Sequence, residues 1–296
     1  MMRAALLCIG VYLIALGSAG AVVWLTGPSL GPIWAAFVAD IVATLLVFGA
    51  SLRFRNSSLY DPYWSVAPPL IAGYFWLCGE RPLQARQVAL FALVLIWALR
   101  LTYNWASQWR GLAHEDWRYI ELQKKHGRAY WLVSFAGIHL MPTLVVFFAC
   151  LSLFPALQRG GPRLGGLDLV GLALTTLGIA LETVADFQLR RFVRSRRSAE
   201  LLLERGLWAL VRHPNYLGEL CFWWGLFVVG YGVAPSYARY ALAGQLAITV
   251  MFVVVSVPMI ERRLAAGKPQ FADYRRRVPA LLPWRGIVRR GLARRG

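Results

Sequence analysis

The sequence predicts an all-α integral membrane protein, a bundle of about seven to eight transmembrane helices with a cytoplasmic cap. Three observations predict it. Apolar residues make up 58% of the chain and charged residues only 16%, against roughly 25% charge in a soluble domain. The apolar residues gather in windows of spanning length. The arginines and lysines, which leave a net charge of +18, crowd into alternate loops.

The windows lie at about 4–26, 32–52, 65–79, 86–109, 137–157, 166–189, 217–233 and 240–260. Most reach the ~20 residues that cross a ~30 Å hydrocarbon core at ~1.5 Å per residue. The first resembles a signal peptide, with Arg3 before an apolar run and Ser18-Ala19-Gly20-Ala21 within it. The run continues through Val22-Val23-Trp24-Leu25, too long for a cleaved leader, and reads as a retained span. The third is short and contains Pro68-Pro69, which suggests a broken or half-spanning helix and leaves seven spans as the alternative. The loops after the second, fourth and sixth windows and the chain after the eighth carry most of the cations. The alternate loops hold only Arg81, Arg86, Arg159, Arg163 and Arg239. This asymmetry places both termini in the cytoplasm, supports eight spans, and fits a multi-pass protein of a bacterial inner membrane. The cations suit anionic lipid head groups better than nucleic acid. The chain reads as one polytopic domain: extra N-terminal spans over 1–55, a main region over 56–285, and a basic tail over 286–296.

Cys8, Cys78, Cys150 and Cys221 each stand alone in an apolar segment, which implies neither disulfide nor zinc. His114, His126, His139 and His213 show no metal-binding spacing, so no metal is expected. No Rossmann or Walker phosphate loop is present. Ionisable groups inside spans are costly and usually functional. Asp40, Arg100, His139, Glu182, Asp186 and Glu219 are such groups, and they suggest a shared polar chamber. The bland alternative is pairing among themselves, for example Asp40 with Arg100. Two polar loop regions, Arg110–Ala136 and Arg190–Tyr216, are rich in Trp, Tyr and Arg and read as an ordered cap.

The most specific stretch is Arg212-His-Pro-Asn-Tyr-Leu-Gly-Glu219, at the start of the seventh span. Arg212 and His213 can face phosphate, and Pro214 fixes the backbone before the helix. Asn215, Tyr216 and Glu219 fall on its first turns, where free N–H groups and the dipole favour an anion. The pattern suits a nucleotide cradle at the membrane surface; an interfacial helix cap is the plainer reading.

This stretch resembles the cofactor motif of the steroid 5-alpha-reductase family. Asp186-Phe-Gln-Leu-Arg190, Phe271-Ala-Asp-Tyr274 and Ala280-Leu-Leu-Pro283 resemble further parts of it. With Ser57–Ser65 and Glu115-Asp-Trp-Arg-Tyr119, the chain resembles the bacterial, uncharacterised branch of that superfamily, the domain of unknown function 1295 type, over about residues 55–285. The resemblance implies an NADPH-dependent reductase of an enone double bond in a steroid-like or other lipid. It implies cofactor contacts from Arg110, Asp186, Arg190, Arg212, His213, Asn215, Tyr216, Glu219 and Tyr274. Asp61 falls where the family has its carbonyl-polarising acid. The partner tyrosine falls on Trp97, whose indole is no acid, so Tyr63 or Tyr103 is expected to stand in. The arginines around 190–212 suit a 2′-phosphate and so NADPH over NADH. A rival resemblance is to membrane methyltransferases of the isoprenylcysteine carboxyl methyltransferase type, which use S-adenosylmethionine. There Glu261 and Tyr274 would join the Arg-His-Pro stretch.

Overall fold

The computed structural model describes residues 2–79, 84–158, 164–198 and 200–283. The basic tail at 286–296 and Arg81, Arg159 and Arg163 lie outside them. Among the described residues there is no strand, and six helices are long and apolar enough to cross a membrane: Met2–Phe54, Ala85–Gln108, Trp117–Cys150, Gly166–Ser195, Pro214–Val233 and Arg239–Gly267. The protein is an all-α integral membrane protein.

The first helix, α1 (Met2–Phe54), counts twice. Its 53 residues include Pro28 and Pro32 and a non-helical Gly31 at φ 72, ψ 169. That conformation is open to glycine and costly for other residues. A straight helix would hold Tyr12 roughly 60 Å from Phe54. Instead the Tyr12 hydroxyl donates to the carbonyl of Leu59 at 2.9 Å. The chain therefore reverses at Gly31, and α1 is two antiparallel spans.

The chain divides into two compact units: Met1–Asp168 with Val229–Gly244, and Leu169–Val228 with Gln245–Gly296. At the centre of the first is α2 (Tyr63–Leu77), which packs against α1, α3 (Ala85–Gln108), α6 (Met141–Cys150) and α7 (Leu153–Gln158). The helix runs unbroken through Pro68 and Pro69. At 15 residues it is about 22 Å long, short of a full crossing. Its neighbours cover Tyr63, Ala67, Ile71, Ala72 and Phe75. Sequence patterning ended the cytoplasmic loop at 136, but the chain is helical from Trp117: α4 (Trp117–His126), a 3₁₀ turn, α5 (Tyr130–Val133) and a π-helical turn (Ser134–Leu140) lead into α6. Asp116 starts this run by accepting from the Arg118 N–H at 2.9 Å, and Glu121-Leu-Gln-Lys-Lys supplies helix formers. The buried Arg86–Asp168 pair, 2.7 Å apart, closes the other end of the unit.

The second unit is built on α8 (Gly166–Ser195) and α9 (Pro214–Val233). It is completed by the end of α10 (Pro235–Val250), a second π-helical turn (Met251–Ser256), α11 (Val257–Gly267) and α12 (Phe271–Arg277). The backbones of α8 and α9 touch. A Cβ on Gly178 would lie 2.5 Å from the Phe222 nitrogen, and one on Gly218 would lie 2.7 Å from the Gly178 carbonyl. Small residues at a helix crossing allow such contact in a membrane, where association rests on packing. Gly178→Val should therefore overpack the crossing and cost about 1–3 kcal/mol, read as a lower Tm in detergent. Gly49→Ala, where a Cβ meets open space, should leave Tm unchanged.

Candidate functional site

In the first unit, residues 56–62 connect α1 to α2 and are stitched to the segment before α4. The Asn56 carboxamide nitrogen donates to the carbonyls of Leu112 and His114 at 2.7 and 3.0 Å. The Ser57 N–H donates to Glu115 Oε1 at 2.7 Å, and the Asp116 N–H donates to Ser58 Oγ at 2.8 Å. Ser57 Oγ lies 2.6 Å from the Tyr130 hydroxyl and 2.9 Å from Ser134 Oγ. These bonds bring Asp61 against α4, where the Tyr119 hydroxyl donates to Asp61 Oδ1 at 2.6 Å. Burial raises the Asp61 pKa from 3.8 to about 6, outweighing the nearby Arg118 charge and the Tyr119 bond. The result is a carboxyl that gives up its proton near pH 6, well above the usual carboxylate range, beside a phenol.

Tyr119 is the phenol that sequence reasoning did not assign to the site. Its only signal was its place at the end of Glu115-Asp-Trp-Arg-Tyr119. Tyr63 lies elsewhere, donating to Asp40 Oδ1 at 2.6 Å. Asp40 thus takes Tyr63, and not Arg100, as its partner. Tyr103 is 64% exposed, and Trp97 is buried. The π-helical turn buries His139, whose Nε2 lies 3.1 Å from Ser51 Oγ and whose Nδ1 lies 3.0 Å from the Ser134 carbonyl. A Gly27-Pro-Ser-Leu-Gly31 run fits the nucleophile-elbow pattern by sequence, but it forms the reversal of α1. Its Ser29 hydroxyl donates to the Thr26 carbonyl at 3.0 Å, with no base against it among the described residues.

In the second unit, Arg212 and His213 lead into α9, with Pro214 as its first residue, where no N–H is required. Their backbone N–H groups donate to the carbonyls of Pro279 and Ala280 at 2.8 and 3.0 Å. Glu261, on α11, lies between the side chains. Its Oε1 accepts from Arg212 Nε at 2.7 Å and lies 3.1 Å from His213 Nε2. Arg212 Nη1 donates to the carbonyl of Arg275 at 3.2 Å and to that of Val278. The His213 ring stacks on Tyr216, centroids 5.6 Å apart and planes 14° apart. The buried Tyr274 hydroxyl donates to the Trp208 carbonyl at 2.5 Å. Burial raises the Tyr274 pKa.

The sequence-predicted cofactor residues divide accordingly. Arg212, His213, Tyr216 and Tyr274 belong to this cluster, and Glu219 is buried one turn into α9. Asp186 and Arg190 are half-buried on α8. Arg110 is exposed and belongs to the other unit, with Asp61, Tyr63 and Tyr103. Asn215 Oδ1 is buried and has no hydrogen-bond partner among the described residues. Among the described residues no three His, Cys, Asp or Glu side chains gather as a metal ion would require.

Comparison with known proteins places this geometry in a family. The chain is 24% identical over 263 residues to an uncharacterized protein of Schizosaccharomyces pombe, covering 80% of this chain and 76% of that one. It is 30% identical over 118 residues to the cobalt-zinc-cadmium resistance protein CzcN of Cupriavidus metallidurans, covering 40% of this chain and 51% of that one. The nickel-cobalt-cadmium resistance protein NccN of Alcaligenes xylosoxydans xylosoxydans gives 30% over 118 residues, 40% of this chain and 52% of that one. No solved structure matches. Residues 47–278 match the family described as "Protein of unknown function (DUF1295)", a span that takes in both the Asp61 and the Arg212 clusters. The protein is a member of the DUF1295 family.

Proposed function

We propose that the protein is a membrane-embedded, NADPH-dependent reductase of a carbon–carbon double bond conjugated to a carbonyl, acting on a steroid-like or other lipid. It would stand in the bacterial branch of the steroid 5-alpha-reductase-like superfamily. The observation that carries the reading is the 2.6 Å contact between Tyr119 and Asp61. Enone reduction builds charge on the carbonyl oxygen, and a site that stabilises it needs a proton donor there, away from water. Asp61, with its pKa raised to about 6, supplies that proton. Tyr119 donates to Asp61 Oδ1 and fixes the carboxyl in place, with Ser58 also hydrogen-bonded to it.

Bound NADPH would supply the hydride. The residues fit such a cofactor at one observed point: the buried Asn215 Oδ1 suits an amine or carboxamide N–H. His213 and Tyr216 offer a stacked aromatic wall. Arg212 is committed to Glu261 and two backbone carbonyls, so in this reading it frames the site and does not carry the phosphate. The loop arginines support a bacterial inner-membrane location with cytoplasmic termini. Membrane lipids and a greasy small molecule are the partners proposed; nucleic acid and metal have no part in it.

A second reading is supported by the contact of Glu261 with Arg212 and His213. It is methyl transfer from S-adenosylmethionine, as the isoprenylcysteine carboxyl methyltransferase resemblance implies. The two readings separate in a thermal-shift experiment on the detergent-solubilised chain: NADPH is expected to raise Tm and S-adenosylmethionine to leave it unmoved. The reverse would transfer the assignment to the methyltransferase.

The Asp61 proton gives two further expectations. Asp61→Asn and Tyr119→Phe should each slow turnover about 10²-fold or more while leaving NADPH binding intact, and turnover should fall as pH rises through about 6. Normal turnover in both variants would remove the pair from the chemistry. The folded-state pKa is above the unfolded one, so the folded chain binds the extra proton. That stabilisation is complete below about 4 and lost as pH rises through about 6, amounting to about 3 kcal/mol at most. Urea melts should show the slope in the native chain and not in Asp61→Asn.

A further inference from the structure

We propose that Arg275 is the residue that reads a phosphoryl anion at the mouth of the second-unit site, and that Arg212 is its positioning residue. The sequence points to Arg212, because it stands beside the start of α9. In the fold its guanidinium is already used. Nε and Nη2 lie 2.7 and 2.6 Å from Glu261 Oε1, Nη1 reaches the carbonyls of Arg275 and Val278, and the side chain is 9% exposed. An anion arriving there would have to displace Glu261 and strand buried groups, each at a cost.

Arg275 is in the opposite condition. Its side chain is 65% exposed, and its Nε lies a loose 3.4 Å from Glu261 Oε2. Its Nη1 and Nη2 have no partner among the described residues. Two residues on, Arg277 is tied to Glu204 at 2.8 Å and Asp273 at 2.7 Å. Arg275 thus keeps an open, planar pair of donors, the arrangement that takes a phosphoryl group in two parallel bonds. Its backbone, in contrast, is fixed. Arg212 holds its carbonyl, and its neighbour Tyr274 is buried with Phe271 and Val278.

The location supplies the second half of the argument. One carboxylate separates Arg275 from the start of α9: Glu261 presents Oε2 to Arg275 and Oε1 to His213 at 3.1 Å. Beyond His213 lie the first N–H groups of α9, which have no intrahelical acceptor, and the buried, unpartnered Asn215 Oδ1. A ligand that satisfies both ends carries a phosphoryl anion and an N–H or O–H donor, as a nucleotide does. The ligand's identity rests on the nucleotide reading given above; the anion does not.

The test uses the full chain in detergent, with inorganic pyrophosphate as the probe. Arg275→Gln should weaken pyrophosphate binding about tenfold or more, as loss of a charge-assisted pair would, with an unchanged ligand-free Tm. Arg275→Lys should keep part of the affinity. Arg212→Gln should lower Tm, and in an Arg275→Gln background it should cost no further pyrophosphate affinity, since it acts only through Arg275. Equal binding by native chain and Arg275→Gln overturns the proposal, as does no binding by the native chain. Binding that survives Arg275→Gln but is lost in a folded Arg212→Gln also overturns it. NADPH and S-adenosylmethionine form separate arms. Pyrophosphate binding that depends on Arg275, with no NADPH binding, would uphold the anion site and sink the reductase.

Discussion

Polar groups inside a membrane protein have no water to fall back on, so each must find its partner within the chain. Much of this structure follows from that requirement. Thr44 and Thr143 bond across two helices at 2.8 Å, and Tyr60 joins them at 2.7 Å. Arg86 and Asp168 pair while both are nearly excluded from solvent. Glu261 collects two cationic side chains and a histidine. These contacts determine which helix faces meet, because a small rotation of any one helix would leave a donor or acceptor bare in an apolar surrounding.

The two units meet the requirement differently. In the first, hydroxyls predominate: serines, threonines and tyrosines satisfy one another, and two of its carboxyls, Asp40 and Asp61, each accept from a phenol. Such an interior can hold a proton without holding a charge. In the second, arginine, glutamate and histidine form a charged cluster at the end of a helix, stabilised by mutual contact. The first chemistry is that of buried neutral groups, and the second is that of paired charges.

The sequence disclosed the helices well and the site unevenly. Apolar runs are a local property, so the window 86–109 became Ala85–Gln108 and the window 217–233 became Pro214–Val233. The windows 4–26 and 32–52 were separate in the sequence, and the structure puts the reversal between them at Gly31, which lies between Pro28 and Pro32. The helical run before His139 was missed, because polar residues such as Gln123, Lys124 and Lys125 read as loop until Asp116 is seen to start a helix. Asp61 stood out in the sequence through its motif, but its partner lies 58 residues away, and no periodicity connects them. Arg212 stood out in the sequence because it is close to His213 and Pro214. Only the fold reveals that Glu261, 49 residues on, has already engaged it.

The N-terminal pair of spans has its own consequence. The Tyr12 hydroxyl is bonded to the carbonyl of Leu59, two residues before Asp61. A helix pair adapts to the thickness of its bilayer by tilting. Here a tilt of the first span would pull on the segment that carries the acid. A bilayer whose thickness matches the hairpin poorly would therefore pull on the position of Asp61 without altering any residue around it.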